Sequence, residues 1–234
     1  MLNKLENSIK LKKLFSLLRD IPFLFLDYFL IIFSFLKNLI LKRELYKKNL
    51  VFVTGADNSF FESLVQLVDH FQNKFPNNTL IIYNLGINER KLSNLISSYP
   101  NIIVKQFNFH EYPTFYSKRD NFKKLGSYAW KSAIIYEVIK EYESQVIWMD
   151  TGNLVKGKLI FLRIVLSAFG FVSPFSVGSI KEWTHPSVLD VLSVKSNISK
   201  KRNLTGGLVG FDYSNENSMK LLKDWFTFSK DEQY

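Results

Sequence analysis

Short apolar runs alternate with amphipathic helical patterns from residue 50 onward, and this alternation restricts the possible folds more than any other feature of the chain. The apolar runs predict buried strands at 50–55, 79–86, 101–107 and 145–150. Helical spacing of apolar residues between them predicts helices over 58–75, 88–98 and 124–142. Strands separated by helices pair in parallel, so the sequence predicts an α/β fold with a mostly parallel, Rossmann-like sheet flanked by helices.

The last third of the chain is less regular. Residues 159–172 are apolar and are compatible with either a helix or a buried strand. Thr184, His185 and Pro186 open a helix that we expect to reach about residue 194. Residues 196–203 predict a polar loop. The segment LTGGLVGF (204–211) predicts a strand, and residues 215–229 predict a final helix.

An apolar segment precedes this α/β region. Residues 21–36 read IPFLFLDYFLIIFSFL, in which only Pro22, Asp27 and Ser34 are not apolar. A helix of that length spans about 24 Å, which is less than the roughly 30 Å of a bilayer core. Asp27 makes full insertion costlier still. The segment therefore favours a helix in the headgroup region over a helix that spans the membrane.

Basic residues flank the apolar segment on both sides. Residues 1–48 carry ten Lys and Arg against four Asp and Glu, so they hold +6 of the net charge of +10. The basic residues nearest the segment are Lys10, Lys12, Lys13, Arg19, Lys37, Lys42, Arg43, Lys47 and Lys48. Because Phe and Leu dominate, this charge indicates an anionic membrane surface and no nucleic acid. We expect 1–48 to be a membrane-associating helical arm; the alternative is a helix docked on the following domain.

The absence of cysteine excludes whole classes of site. With no Cys in the chain, disulfide scaffolds, zinc–thiolate sites, iron–sulfur clusters and cysteine nucleophiles are ruled out. Together with the basic arm, this composition predicts a membrane-associated protein at the cytoplasmic face of a bacterial inner membrane.

The segment WMDTGN (148–153) carries the sharpest chemical signal, because ligands of parallel sheets bind at the carboxyl ends of the strands. An apolar run followed by Asp-Thr-Gly also occurs in aspartic proteases. Those enzymes need two carboxylates that share a proton, and the chain has no second Asp-Thr-Gly. The remaining interpretations are a strand-end carboxylate that binds a divalent metal at a nucleotide-sugar site, and an Asp150 that only caps a turn.

Four segments together resemble the GT-A superfamily of glycosyltransferases. They are FVTGADN (52–58), SYAWKSAIIYEVI (127–139), VIWMDTGNLV (146–155) and NLTGGLVGF (203–211). Their order is similar to a family of uncharacterised GT-A-like domains and, more distantly, to the glycogenin-like retaining transferases. The resemblance covers roughly residues 50–229. It implies that 49–234 is one GT-A-like domain. Similar domains continue beyond the point where this chain reaches Tyr234, so we expect the chain to be either a fragment or a shortened member.

The resemblance also implies roles for individual residues. Asp150 matches the first acid of the Asp-x-Asp metal motif, whereas the second acid is replaced by Gly152. Lys131 matches a basic residue that neutralises the diphosphate leaving group. The donor-binding residues that it implies are Thr54, Gly55, Ala56, Asn153, Gly206 and Gly207.

Simpler interpretations compete with these roles. Lys131 could be a solvated helix residue, and the two glycines 206 and 207 could form a β-bulge. Trp130 and Trp148 have the spacing of core residues and are not expected to be sugar platforms.

The implied activity is transfer of a sugar from a nucleotide-diphosphate donor to a surface glycan or glycolipid, with retention of configuration. The implied cofactor is a divalent metal, Mn²⁺ or Mg²⁺, held by Asp150. The missing second acid leaves an alternative open: a catalytically inactive GT-A-like protein that binds a nucleotide, a carbohydrate or a partner.

Overall fold

The computed structural model describes residues 28–39, 50–117, 128–157 and 159–231. Within these residues a six-stranded sheet has the order β3-β2-β1-β4-β8-β5. Its strands are β1 (Leu50–Ala56), β2 (Thr79–Asn84), β3 (Ile103–Gln106), β4 (Gln145–Met149), β5 (Phe171–Val172) and β8 (Leu208–Asp212). β1 to β4 run parallel, whereas β8 is antiparallel to both β4 and β5. The predicted α/β fold with a mostly parallel sheet is confirmed.

The helices occupy the positions that the apolar spacing predicts, with shorter bounds. Helical residues 28–39 form α1. The longer helices that follow are α2 (Phe61–Lys74), α3 (Glu89–Ser98), α4 (Trp130–Tyr142), α5 (Ile160–Phe169) and α9 (Glu216–Phe228). Shorter ones are α6 (Ile180–Trp183), α7 (Pro186–Val191) and α8 (Ser196–Ser199). Residues 124–127 of the predicted helix over 124–142, and the arm outside 28–39, lie outside the described residues.

The two faces of the sheet bury different helices, because side chains alternate along each strand. Val51, Val53 and Trp148 point to one face and pack with α4 and α9. Leu50 and Phe52 point to the other face, which is covered mainly by α2, with contributions from α3 and α5. α4 is buried on nearly all sides, and this places its first turn directly beside the end of β4.

Two predictions in the last third are wrong. The loop predicted over 196–203 contains α8 and the start of β7 (Arg202–Leu204), which pairs antiparallel with β6 (Phe175–Ser179). The strand predicted over 204–211 begins only at Leu208. Pairing with β6 places the polar residues Arg202 and Asn203 in a strand, against their local polarity. Residues 159–172, left open between helix and strand, contain both α5 and β5.

A carboxylate on α4 joins this helix to β2 and to the loop after β3. The two oxygens of Glu137 accept hydrogen bonds from the phenol groups of Tyr83, at 3.0 Å, and Tyr112. Burial, reinforced by the nearby Glu137 charge, raises the pKa of both phenols well above their ordinary value. Both tyrosines therefore stay neutral hydrogen-bond donors even at pH values above the ordinary tyrosine pKa of 10.0.

Candidate active site

A cavity of about 300 Å³ opens where β1 and β4 end side by side. Its walls come from the end of β1, the start of the helical region after it, the turn before α4 and the segment after β4. The lining residues are Gly55, Ala56, Asp57, Phe60, Ser63, Leu85, Tyr128, Trp130, Asp150, Thr151 and Gly152. The carboxyl edge of the parallel strands, where the sequence analysis expects the ligand, therefore contains an open cavity.

Asp150 is the central polar residue of this cavity. It follows β4 directly, and its side chain is 46% exposed. Oδ1 accepts a hydrogen bond of 2.6 Å from Trp148 Nε1, which is possible because residues two apart on a strand share a face. Lys131 Nζ lies 2.9 Å from the same oxygen. Two donors thus fix the carboxylate, and the bonds converge on one of its oxygens.

Lys131 lies behind Asp150, in the first turn of α4. Its side chain is only 8% exposed, so the alternative of a solvated helix residue is wrong. Nζ also donates to the carbonyl of Gly206 at 2.9 Å and lies 5.3 Å from the Trp148 ring centre. Lys131 is not one of the described residues that line the cavity. Its predicted contact with a diphosphate stays a prediction, and the role that its geometry supports is to position Asp150.

The Gly206–Gly207 segment passes close over Asp150. The backbone N–H of Asp150 donates to the carbonyl of Gly207 at 2.8 Å, and Asn153 Nδ2 donates to the same carbonyl at 2.7 Å. A Cβ on Gly207 would lie 3.2 Å from Asp150 Oδ2. Five of the predicted site residues therefore form one contiguous cluster: Lys131, Asp150, Asn153, Gly206 and Gly207.

The predicted residues at the end of β1 divide into two groups. Gly55 and Ala56 line the cavity, whereas Thr54 is fully buried beneath it. A Cβ on Gly55 would approach Leu85 Cδ1 at 3.1 Å and the Trp148 ring at 3.3 Å, so this position favours glycine. Gly55 and Ala56 therefore share the cavity with Asp150, whereas Thr54 is buried and does not line it.

Asp57 is a cavity residue that lies within the segment FVTGADN (52–58), but the sequence analysis gave it no role of its own. It is only 3% exposed, and its Oδ1 accepts a hydrogen bond of 2.9 Å from the backbone N–H of Ser59. This N-cap geometry precedes the 3₁₀ turn Asn58–Phe60. The available signal was an acid directly after a strand with a serine two residues on, which is typical of a helix start.

The described residues around Asp150 could supply one carboxylate to a divalent cation, but not a complete set of ligands. Among the described residues there is no group of three or more His, Cys, Asp or Glu that could hold a metal, and Gly152 provides no oxygen side chain. Mg²⁺ at nucleotide sites is commonly held by one or two carboxylates together with substrate phosphates. Asp150, with Oδ1 already engaged, can supply one such carboxylate. The predicted metal role of Asp150 stays a prediction.

The fold is similar to solved glycosyltransferases. The structure of the bifunctional glycosyltransferase WbbM aligns with a TM-score of 0.51 at 15% identity, over 80% of this chain and 35% of WbbM. The galactosyltransferase LgtC, solved with donor and acceptor sugar analogues, aligns with a TM-score of 0.49 at 14% identity, over 77% of this chain and 65% of LgtC. Core-mannan synthase A from Aspergillus fumigatus, in a form with Mn and GDP, aligns with a TM-score of 0.49 at 11% identity, over 79% and 66%.

The alignment with WbbM, together with the strand order above, shows a GT-A-like fold. The predicted resemblance to the GT-A superfamily is confirmed at the level of the fold. The chain spans about a third of the length of WbbM and just under two thirds of LgtC. A family described as "protein of unknown function (DUF1647)" matches residues 34–136. No curated protein sequence matches the chain.

Proposed function

We propose that this protein transfers a sugar from a nucleotide-diphosphate donor to a hydroxyl group of an acceptor. The observation that carries the proposal is the cavity at the carboxyl ends of β1 and β4, with Asp150 fixed in its wall by Trp148 and Lys131. In an α/β sheet this edge is where nucleotides bind. The structural neighbours are glycosyltransferases, which supports the same general role.

The donor would lie between the end of β1 and the Gly206–Gly207 segment. Gly55 and Ala56 line the end of the cavity where we expect the nucleoside half. Asp57 lines the same end, and its Oδ1 accepts a hydrogen bond from the backbone N–H of Ser59. Gly207, with no side chain, lets the donor sugar approach Asp150 closely.

The diphosphate is negatively charged and needs positive charge beside it, whereas the charged side chains among the described lining residues are the acids Asp57 and Asp150. A divalent cation, Mn²⁺ or Mg²⁺, when bound with the donor, would neutralise the leaving diphosphate. Asp150 is the residue that would hold it. Lys131 keeps the Asp150 carboxylate oriented from behind, at 2.9 Å.

The acceptor, a glycan or glycolipid, would lie along the small sheet of β6 and β7. This sheet continues directly into the glycine segment, since the backbone N–H of Thr205 donates to Pro174 O at 2.9 Å. Exposed aromatic groups, which can stack on sugar rings, include Trp183 and Phe175. We expect Trp183→Ala to raise the KM for the acceptor and to leave the KM for the donor unchanged in steady-state kinetics.

Turnover of nucleotide sugars tests the proposal. The full-length protein is incubated with a panel of UDP- and GDP-sugars, with and without Mn²⁺, and release of the nucleoside diphosphate is measured. Asp150→Asn is expected to lower the rate about a hundredfold, a typical loss for one electrostatic group in an active site. Asp224→Asn, which changes an exposed carboxylate on α9, is the matched control and should leave the rate unchanged.

Gly152 favours one alternative function. Without the second acid, the site could bind a nucleotide or carbohydrate but not turn it over. Saturable nucleotide binding that Asp150→Asn weakens, with no diphosphate release from any donor, would support a catalytically inactive GT-A-like binding protein and reject the transferase.

A further inference from the structure

Helix α1 turns its apolar residues away from the protein, which is the reverse of an ordinary surface helix. The most exposed large apolar side chains of α1 are between 47% and 67% exposed: Tyr28, Phe29, Ile32, Phe33, Phe35, Leu36 and Leu39. The side chains that face the protein include Ser34 and Asn38, which are 0% and 2% exposed. We call the exposed set the apolar arc of α1. A contiguous exposed surface of this kind marks an interaction site.

Specific contacts fix this orientation. Asn38 Nδ2 donates a buried hydrogen bond of 2.9 Å to the carbonyl of Ile164 in α5. The Phe33 ring stacks on Phe169 at 6.4 Å between centroids, and Lys37 Nζ lies 4.8 Å from the same Phe169 ring centre. Rotating α1 to bury its apolar arc would break the Asn38 bond and leave a buried carbonyl and amide to be satisfied elsewhere.

Charge argues against a second protein copy as the occupant of the arc. Residues 1–48 carry a net charge of +6, so two copies that face each other through α1 would bring like charges together, which is unfavourable at an interface. An anionic bilayer attracts the same charge, and each apolar side chain that enters it contributes independently.

The charge of the arm agrees with an anionic bilayer. Residues 1–48 hold ten Lys and Arg against four Asp and Glu. Basic residues are attracted to an anionic membrane surface, and their contributions add when several lie close to it. No described helix combines the length and apolarity needed to cross a membrane.

We propose that α1 lies in the headgroup region of an anionic lipid bilayer, with its apolar arc toward the acyl chains. Asn38 holds the α/β domain on the opposite, water-facing side through its hydrogen bond to α5. This proposal does not depend on the transfer reaction, and its test measures membrane contact without a nucleotide.

The absence of cysteine makes a site-specific probe possible. The full-length Ile32→Cys variant is labelled with an environment-sensitive fluorophore and mixed with vesicles of phosphatidylcholine and phosphatidylglycerol at 3:1. The matched control is Leu221→Cys, which places the same label on α9 at a residue 46% exposed. A blue shift at position 32 but not at position 221 is expected. No shift at 32, or equal shifts at both positions, would overturn the proposal.

A flotation assay gives an independent measurement. Phe29→Ser with Ile32→Ser is expected to lower the vesicle partition coefficient about tenfold or more. Ile96→Ser with Leu221→Ser, two exposed apolar residues on α3 and α9, is the matched control and should float like the unmodified protein. Equal flotation of all three proteins would overturn the proposal. So would a blue shift at position 32 that needs high protein concentration and no vesicles, because that result identifies self-association.

Discussion

Replacing Gly207 by alanine should disturb the site through a single methyl group. The new Cβ would lie 3.2 Å from Asp150 Oδ2 and 3.3 Å from Asn153 Nδ2, where ordinary contacts begin at 3.4 Å. Both side chains must therefore move by a few tenths of an ångström. Asp150 cannot move freely, because its Oδ1 accepts hydrogen bonds from Trp148 and Lys131. Asn153 cannot move freely either, because its Nδ2 donates to the carbonyl of Gly207.

The neighbouring glycine offers a matched control. A Cβ on Gly206 would meet only Lys131 Nζ, at 3.8 Å, which is an ordinary van der Waals distance. Neither Gly206 nor Gly207 lies in the left-handed backbone region, so alanine is compatible with both conformations. The two variants therefore differ in what the methyl group touches and not in backbone strain.

The expected magnitude follows from the hydrogen bonds that are weakened. A typical bond contributes about 0.5–1.5 kcal/mol, so partial loss of two bonds costs about 1–2 kcal/mol. This corresponds to a drop in kcat/KM of roughly 5- to 30-fold for Gly207→Ala. For Gly206→Ala we expect a change within about twofold.

Steady-state release of the nucleoside diphosphate from an active donor measures both variants against the unmodified protein. Thermal unfolding of each variant tests whether a rate loss reflects unfolding. Equal losses in the two variants, or full activity of Gly207→Ala, would refute the idea that the Gly207 position gives the donor access to Asp150.

Three further predictions concern the surroundings of the site. Lys131→Met should lower donor turnover at least about tenfold. It should change the free energy of unfolding by less than about 1 kcal/mol, because the Asp150 carboxylate left without its partner is 46% exposed and stays hydrated, while the desolvation cost of the buried ammonium is removed. Loss of several kcal/mol with full turnover would contradict this role. Gly210→Ala should lower the free energy of unfolding in urea by about 1–3 kcal/mol, because the new Cβ would lie 2.6 Å from Ile147 Cδ1. An unchanged midpoint of the urea unfolding curve would be inconsistent with that packing. The pKa of Tyr83 and of Tyr112 is raised in the folded protein, so the unfolded chain loses these protons first as the pH rises. The free energy of unfolding should therefore fall as the pH rises above the ordinary tyrosine pKa of 10.0. Between pH 9 and 11.5 the thermal midpoint should fall less steeply in the Tyr83→Phe, Tyr112→Phe double variant than in the unmodified protein.

The first hundred residues of the α/β region could be predicted because local pattern and tertiary structure agree there. The buried runs of β1, β2 and β4 are continuous, and each is followed by a helix with an apolar face. The direction of β8 could not be predicted, since a period-two pattern is the same for parallel and antiparallel pairing. β7 was missed because Arg202 and Asn203 are polar and become a strand only by pairing with β6.

The candidate site also has a part that the sequence predicts and a part that only the packing of the helices determines. Asp150 and the two glycines at 206 and 207 stand out in the sequence because they follow or precede buried strands. The position of Lys131 behind Asp150 depends on the depth at which α4 is packed, which apolar spacing does not encode. The orientation of α1 is a similar case, because its composition is apolar on most sides and only Asn38 and Ser34 select the face that is buried.

Calorimetric titration of the full-length protein with UDP and GDP, with and without Mn²⁺, tests most directly whether the cavity beside Asp150 is a nucleotide-sugar site. We expect saturable binding of one of the two nucleotides, strengthened by Mn²⁺ and reduced about tenfold or more by Asp150→Asn but not by Asp224→Asn. Absence of binding at millimolar nucleotide, or binding that Asp150→Asn leaves unchanged, would contradict the proposed site.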